Sequence, residues 1–120
     1  MELAGLRLAT AGATAEDLDA LDLPADLRAF LRDHDGGRGE VGGRPVELWS
    51  AARIAREAET QEVALAIPEL RLFGSDGGAE GYGHLRGRYG RIPLLAAGPH
   101  EFEPLADSLQ GFLAALSARR

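Results

Sequence analysis

Cysteine is absent from this 120-residue chain, which closes off both a disulfide framework and a thiolate metal site. Lysine is absent as well. All thirteen basic residues are arginines, and with the abundant Ala and Gly this bias points to a GC-rich, bacterial genome. Nineteen acids outnumber those arginines, and the net charge of −6 argues against a nucleic-acid partner, which needs a basic surface. No apolar run approaches the roughly 20 residues of a membrane span. The opening Met1–Arg7 lacks a basic start followed by a long apolar stretch, so no secretory signal is visible and a cytoplasmic protein is expected.

What is present suits one domain, residues 1–120, with an ordinary core. The apolar share is 45% and the charged share 27%, both usual for a globular chain. Charge is unevenly spread. Residues 1–35 hold eight acids (Glu2, Glu16, Asp17, Asp19, Asp22, Asp26, Asp33, Asp35) against three arginines. Such a face is a solvated helix surface, or it attracts a basic protein.

The pattern of elements predicts α+β, with a mainly antiparallel sheet flanked by N-terminal and C-terminal helices. Residues 1–13 read as a strand or a loose arm. Thr14 with Asp17 opens a short acidic helix to about Leu21. Asp22 is expected to cap a second helix, with Pro24 in its first turn and Leu23, Leu27, Phe30 and Leu31 on its buried face. Gly36 and Gly37 are expected to end it. Residues 45–49 alternate like a strand. Ser50 is the expected N-cap of a helix over 51–59, with Ile54 and Ala58 facing inward. Val63–Ile67, Leu70–Phe73, Glu80–Leu85 and Ile92–Ala96 read as strands, with turns at Gly77-Gly78 and around Gly87–Gly90. An amphipathic helix over roughly 103–116 closes the chain, burying Leu105, Leu109, Phe112, Leu113 and Leu116.

Several motifs fail on context. Gly37–Gly42 spells G-x-G-x-x-G, yet it follows a helix and precedes a strand, the reverse of a dinucleotide site. Asp33-His34-Asp35-Gly36 starts like a calcium loop but has Arg38 at the sixth position and Arg44 at the twelfth. His34, His84 and His100 share no metal-ligand spacing, so no metal and no cofactor are expected. The densest signal is Gly74-Ser75-Asp76-Gly77-Gly78-Ala79-Glu80-Gly81-Tyr82, a backbone requiring positive φ or close approach. Asp76 either holds the turn at Gly77 and Gly78 through backbone N–H groups or pairs with Glu80, and with His84, as acid–base machinery of a small hydrolase. Arg86, Arg88 and Arg91 read as a solvated hairpin tip. Trp49 and Tyr82, on expected strands, are core residues or interface anchors.

In order and spacing these pieces resemble the SUKH superfamily, which includes the yeast Smi/Knr cell-wall regulators and many bacterial immunity proteins. Leu23-Pro24…Leu27…Phe30-Leu31…Gly36-Gly37 resembles its first helix. Glu40-Val41-Gly42…Val46–Trp49 is similar to its first strand pair, and Leu72–Tyr82 to its most characteristic segment. Ile92-Pro93-Leu94 and Leu105–Leu116 resemble its last strand and helix. The likeness covers about residues 18–117. Where relatives often carry an acid soon after the aromatic, this chain has Gly83-His84-Leu85-Arg86. The resemblance implies a non-catalytic protein-binding module that neutralises a cognate toxin, in many cases a nuclease, or else an intracellular regulatory scaffold. The expected partner surface comprises Trp49, Asp76, Glu80 and Tyr82 with the acidic Glu16, Asp17, Asp19 and Asp22. Gly36, Gly37, Gly74, Gly77 and Gly78 are expected to shape its turns.

Overall fold

Among the described residues, seven strands run in sequence order across one antiparallel sheet, β1 to β7, so each pairs with its neighbours in the chain. A computed structural model describes residues 5–118. The strands are β1 Leu6–Leu8, β2 Gly37–Val41, β3 Arg44–Leu48, β4 Arg71–Ser75, β5 Glu80–Leu85, β6 Arg88–Pro93 and β7 Glu103–Ala106. The helices are α1 Ala15–Asp19, α2 Ala25–Asp33, α3 Ala51–Thr60, α4 Glu62–Ala66 and α5 Leu109–Ala118, with a 3₁₀ turn at Pro99–Glu101. This is the α+β, mainly antiparallel architecture expected of the sequence.

Local chemistry explains most boundaries. Thr14 and Ser50 cap α1 and α3, each side-chain oxygen accepting from the N–H three residues on, at 3.1 Å in both cases. Two tight hairpins need left-handed backbone at both central residues. Gly42 and Gly43 supply it between β2 and β3 (φ +62° and +81°), and Arg86 and Gly87 between β5 and β6 (φ +51° and +83°).

Helices cover both faces of the sheet. Alternate residues of a strand point to opposite faces. On β4, Phe73 meets Phe112 of α5 edge-to-face at 5.6 Å, whereas Leu72 lines a cavity with Ile54 of α3. Phe112 also touches Tyr82 at 5.3 Å and Tyr89 at 6.3 Å, so four aromatic rings from three strands and α5 form the centre of the core.

Several expected elements fall elsewhere. The run Val63–Ile67 is not a strand: Val63–Ala66 belong to α4 and Ile67 is its C-cap. Its buried ends Val63 and Ile67 are four apart, and Ile67 N–H donates to Val63 O at 3.0 Å. The expected helix over 103–116 begins only at Leu109. Residues 103–106 instead form the edge strand β7, where Pro104 lacks a donor at no cost. The strand expected at Ile92–Ala96 runs Arg88–Pro93, and its turn is Arg86-Gly87 rather than Gly87–Gly90. Pro24, not Asp22, is the N-cap of α2, because Asp22 turns toward Arg71 of β4. Helix α2 ends at Asp33, before Gly36-Gly37. Gly36 (φ +99°) lies beyond, where an added Cβ would stand 2.7 Å from Leu48 O, and Gly37 opens β2. Ala58 is exposed on the rim of the Leu72 cavity.

Candidate partner-binding site

The glycine segment is a turn held by its own aspartate. Asp76 Oδ1 accepts from Gly78 N–H at 2.8 Å and Glu80 N–H at 3.2 Å, while Asp76 N–H donates to Glu80 O at 3.0 Å. Buried Ser75 adds its hydroxyl as acceptor for Gly77 N–H at 3.1 Å, and Gly77 takes φ +83°. Gly77 and Gly78 are exposed at the tip, but Gly74 belongs to β4. An added Cβ there would sit 2.3 Å from Glu47 O, so its role is close strand approach and not turning. The turn role of Asp76 is therefore the one observed.

Charge surrounds this turn in matched pairs. Arg91 bridges Glu80 at 3.4 Å and Glu103 at 2.6 Å with only 17% of its side chain exposed. Tyr82 lies beneath, 1% exposed. Burial first, then the nearby carboxylates of Asp76 and Glu80, pushes its hydroxyl pKa up to about 12, so it stays a neutral phenol. Trp49 is buried likewise at 3%, with the Arg53 guanidinium 4.9 Å from its ring centroid. Arg53 is held there by Glu57 at 3.1 Å and Glu47 at 3.4 Å. The indole N–H of Trp49 has no hydrogen-bond partner among the described residues. Tyr82 thus supports the turn from below, whereas Trp49 lines a separate cavity with Asp35, Glu47 and Arg53.

The acidic N-terminal third splits in two. Asp19 pairs with Arg28, and Asp22 takes Arg71 through both its side chain (3.3 Å) and its carbonyl (3.1 Å). Glu16 and Asp17 remain exposed in the first turn of α1, without an ion pair among the described residues. Glu2 of the same acidic third lies outside the described residues.

The acid–base constellation does not assemble. Glu80 and His84 lie four residues apart on β5, which at roughly 3.3 Å per residue separates them by about 13 Å. His84 stacks edge-on against Tyr89 at 4.8 Å and opens to a cavity shared with Asp22, Glu69 and Arg86, whereas Asp76 lines a different one. Burial lowers the His84 pKa, opposed by the Asp26 charge. No group of three metal-ligating side chains converges among the described residues. The expected hairpin-tip arginines are all engaged: Arg86 with Glu69 at 2.9 Å, Arg88 with Asp107 at 2.8 Å, and Arg91 as above. No described helix is long and apolar enough to cross a membrane.

Sequence reasoning missed a carboxylate that joins three elements. Asp26 Oδ1 accepts from the Tyr89 hydroxyl and from Leu27 N–H at 3.0 Å, and Oδ2 accepts from Leu109 N–H at 2.8 Å. One side chain thereby ties the start of α2 to β6 and to the start of α5. Burial and this hydrogen bond both push the Tyr89 pKa far up. Its partners lie 63 and 83 positions away, and no local spacing announces them.

Comparison with known proteins gives one family. The model of the SMI1 / KNR4 family (SUKH-1) matches residues 12–115. No curated protein matches the chain.

Proposed function

The chain belongs to the SMI1 / KNR4 family (SUKH-1), and from that membership we propose that it is a non-catalytic protein-binding module, an immunity protein that neutralises a cognate bacterial toxin in the cytoplasm. The observation that carries this reading is the family match, which spans nearly every element of the fold from α1 to α5. The exposed acids add direction. A nuclease toxin presents a basic cleft to its phosphate substrate, and an acidic inhibitor both accelerates encounter and occludes that cleft. Glu16 and Asp17 offer free charge, with Asp19 and Asp22 beside them, while Asp76 and Glu80 rim the glycine turn over Tyr82, and Trp49 is a further candidate contact. Asp76 spends its carboxylate on backbone N–H groups, a role that shapes a surface and does not move protons.

Genetics tests this most simply. The reading frame beside this gene is expressed in a host that lacks the protein, alone and together with it. Growth arrest relieved by co-expression is the expected outcome. A harmless neighbour, or arrest that persists, would remove the immunity reading and favour a regulatory scaffold built on the same fold.

A further inference from the structure

A groove of about 400 Å³ runs between α2 and the start of α5, away from the glycine turn. Helical spacing places Asp26, Ala29, Phe30 and Asp33 on one stripe of α2, and Ser108, Leu109 and Gln110 form the facing wall. Its floor is apolar, built from Ala29, Phe30 and Leu109 with Leu8 of β1 at the side. Its charged walls are acidic, and no arginine lines it. His34, the remaining titratable group, directs Nδ1 to Ala9 O at 2.9 Å.

The two acids are not equivalent. Asp26 sits in the first turn of α2, where the helix dipole favours an anion, and its oxygens are filled by three donors. Asp33 is the last residue of the same helix, at the negative end of the dipole. It is exposed and has no hydrogen bond or ion pair among the described residues. A carboxylate there is disfavoured until a cation arrives. The adjacent Arg32 is not part of the groove.

We propose that this groove docks an arginine of a protein partner, its aliphatic stem on Phe30, Ala29 and Leu109 and its guanidinium paired with Asp33. The proposal rests on the protein-binding reading above and names a surface for it. Arginine suits the site better than lysine because a planar guanidinium bonds a carboxylate in a fork and carries a weakly hydrated stem across apolar ground. Charge complementarity selects a basic segment over an apolar or acidic one.

The test uses the full chain, isotopically labelled, and two short capped peptides, Ala-Leu-Arg-Leu-Ala and its neutral citrulline counterpart. Titration followed by amide NMR should move the signals of Ala29, Asp33, His34 and Gln110 with the arginine peptide. The citrulline peptide and the Asp33→Asn protein should each bind at least tenfold more weakly, whereas Glu59→Gln, at an exposed acid of α3 away from the groove, should bind unchanged. Shifts confined to α1, no shifts at millimolar peptide, or equal binding by Asp33→Asn would overturn the proposal. The two readings fail separately. A toxin neutralised equally well by wild type and Asp33→Asn removes the groove and keeps the module. The peptide result stands even where no toxin is found.

Discussion

At the scale of single residues, carboxylates in this protein divide into those consumed by structure and those left for something else. Asp26, Asp35 and Asp76 cap backbone: Asp35 Oδ1 takes the Ala51 N–H at the start of α3 at 2.7 Å, much as Asp76 takes Gly78 and Glu80. Glu16, Asp17 and Asp33 hold no such bond among the described residues. His84 gives the residue scale a pH signature. Burial lowers its pKa below the ordinary 6.5, so the unfolded chain takes up its proton first. The stability this residue contributes is complete above pH 6.5 and is lost as pH falls from there through the folded value. His84→Asn should therefore show a smaller drop in Tm between pH 7.5 and 5.5 than wild type, and an unchanged drop would refute the assignment.

At the scale of elements, close strand approach at glycine decides how the sheet is assembled. Gly90 lies at an irregularity in the β6–β7 register, and an added Cβ would stand 2.1 Å from Glu103 O and 2.6 Å from the Phe102 ring. Backbone cannot yield that much without β7 moving off the sheet edge. Gly90→Ala should cost about 1–3 kcal/mol, as overpacking does, read from the urea midpoint. A loss under about 0.5 kcal/mol, the level of an indifferent substitution, would mean that β7 is not held there. Elements with local signals were legible: Ser50 and Ile54 mark α3, and the alternation over 45–49 marks β3. Elements decided by distant partners were not. Val63–Ile67 is a short apolar run that periodicity cannot assign to helix or strand. Residues 103–106 continue the apolar spacing of α5, and only pairing with β6 makes them a strand. The same reasoning covers the site. Asp76 was readable from its glycines, while Asp26 depends on Tyr89 and Leu109 and left no local trace. Trp49 and Tyr82 were visible as aromatics on strands, and burial then placed them beneath the surface.

At the scale of the molecule, one sheet carries helices on both faces and an excess of acid on its N-terminal helices. Long-range attraction from that excess should raise the association rate with a basic partner and weaken as salt screens it. Paired acids contribute least to this effect, since Arg28 and Arg71 already neutralise Asp19 and Asp22. The free pair, Glu16 and Asp17, should dominate. The most direct measurement is affinity capture of the tagged protein from its native lysate at low and high salt, with the bound proteins identified by mass spectrometry. One stoichiometric partner bearing a basic toxin domain is expected, released by salt and held less tightly when Glu16→Gln and Asp17→Asn are combined. Several housekeeping proteins, no partner at all, or a complex indifferent to salt and to that double substitution would contradict it.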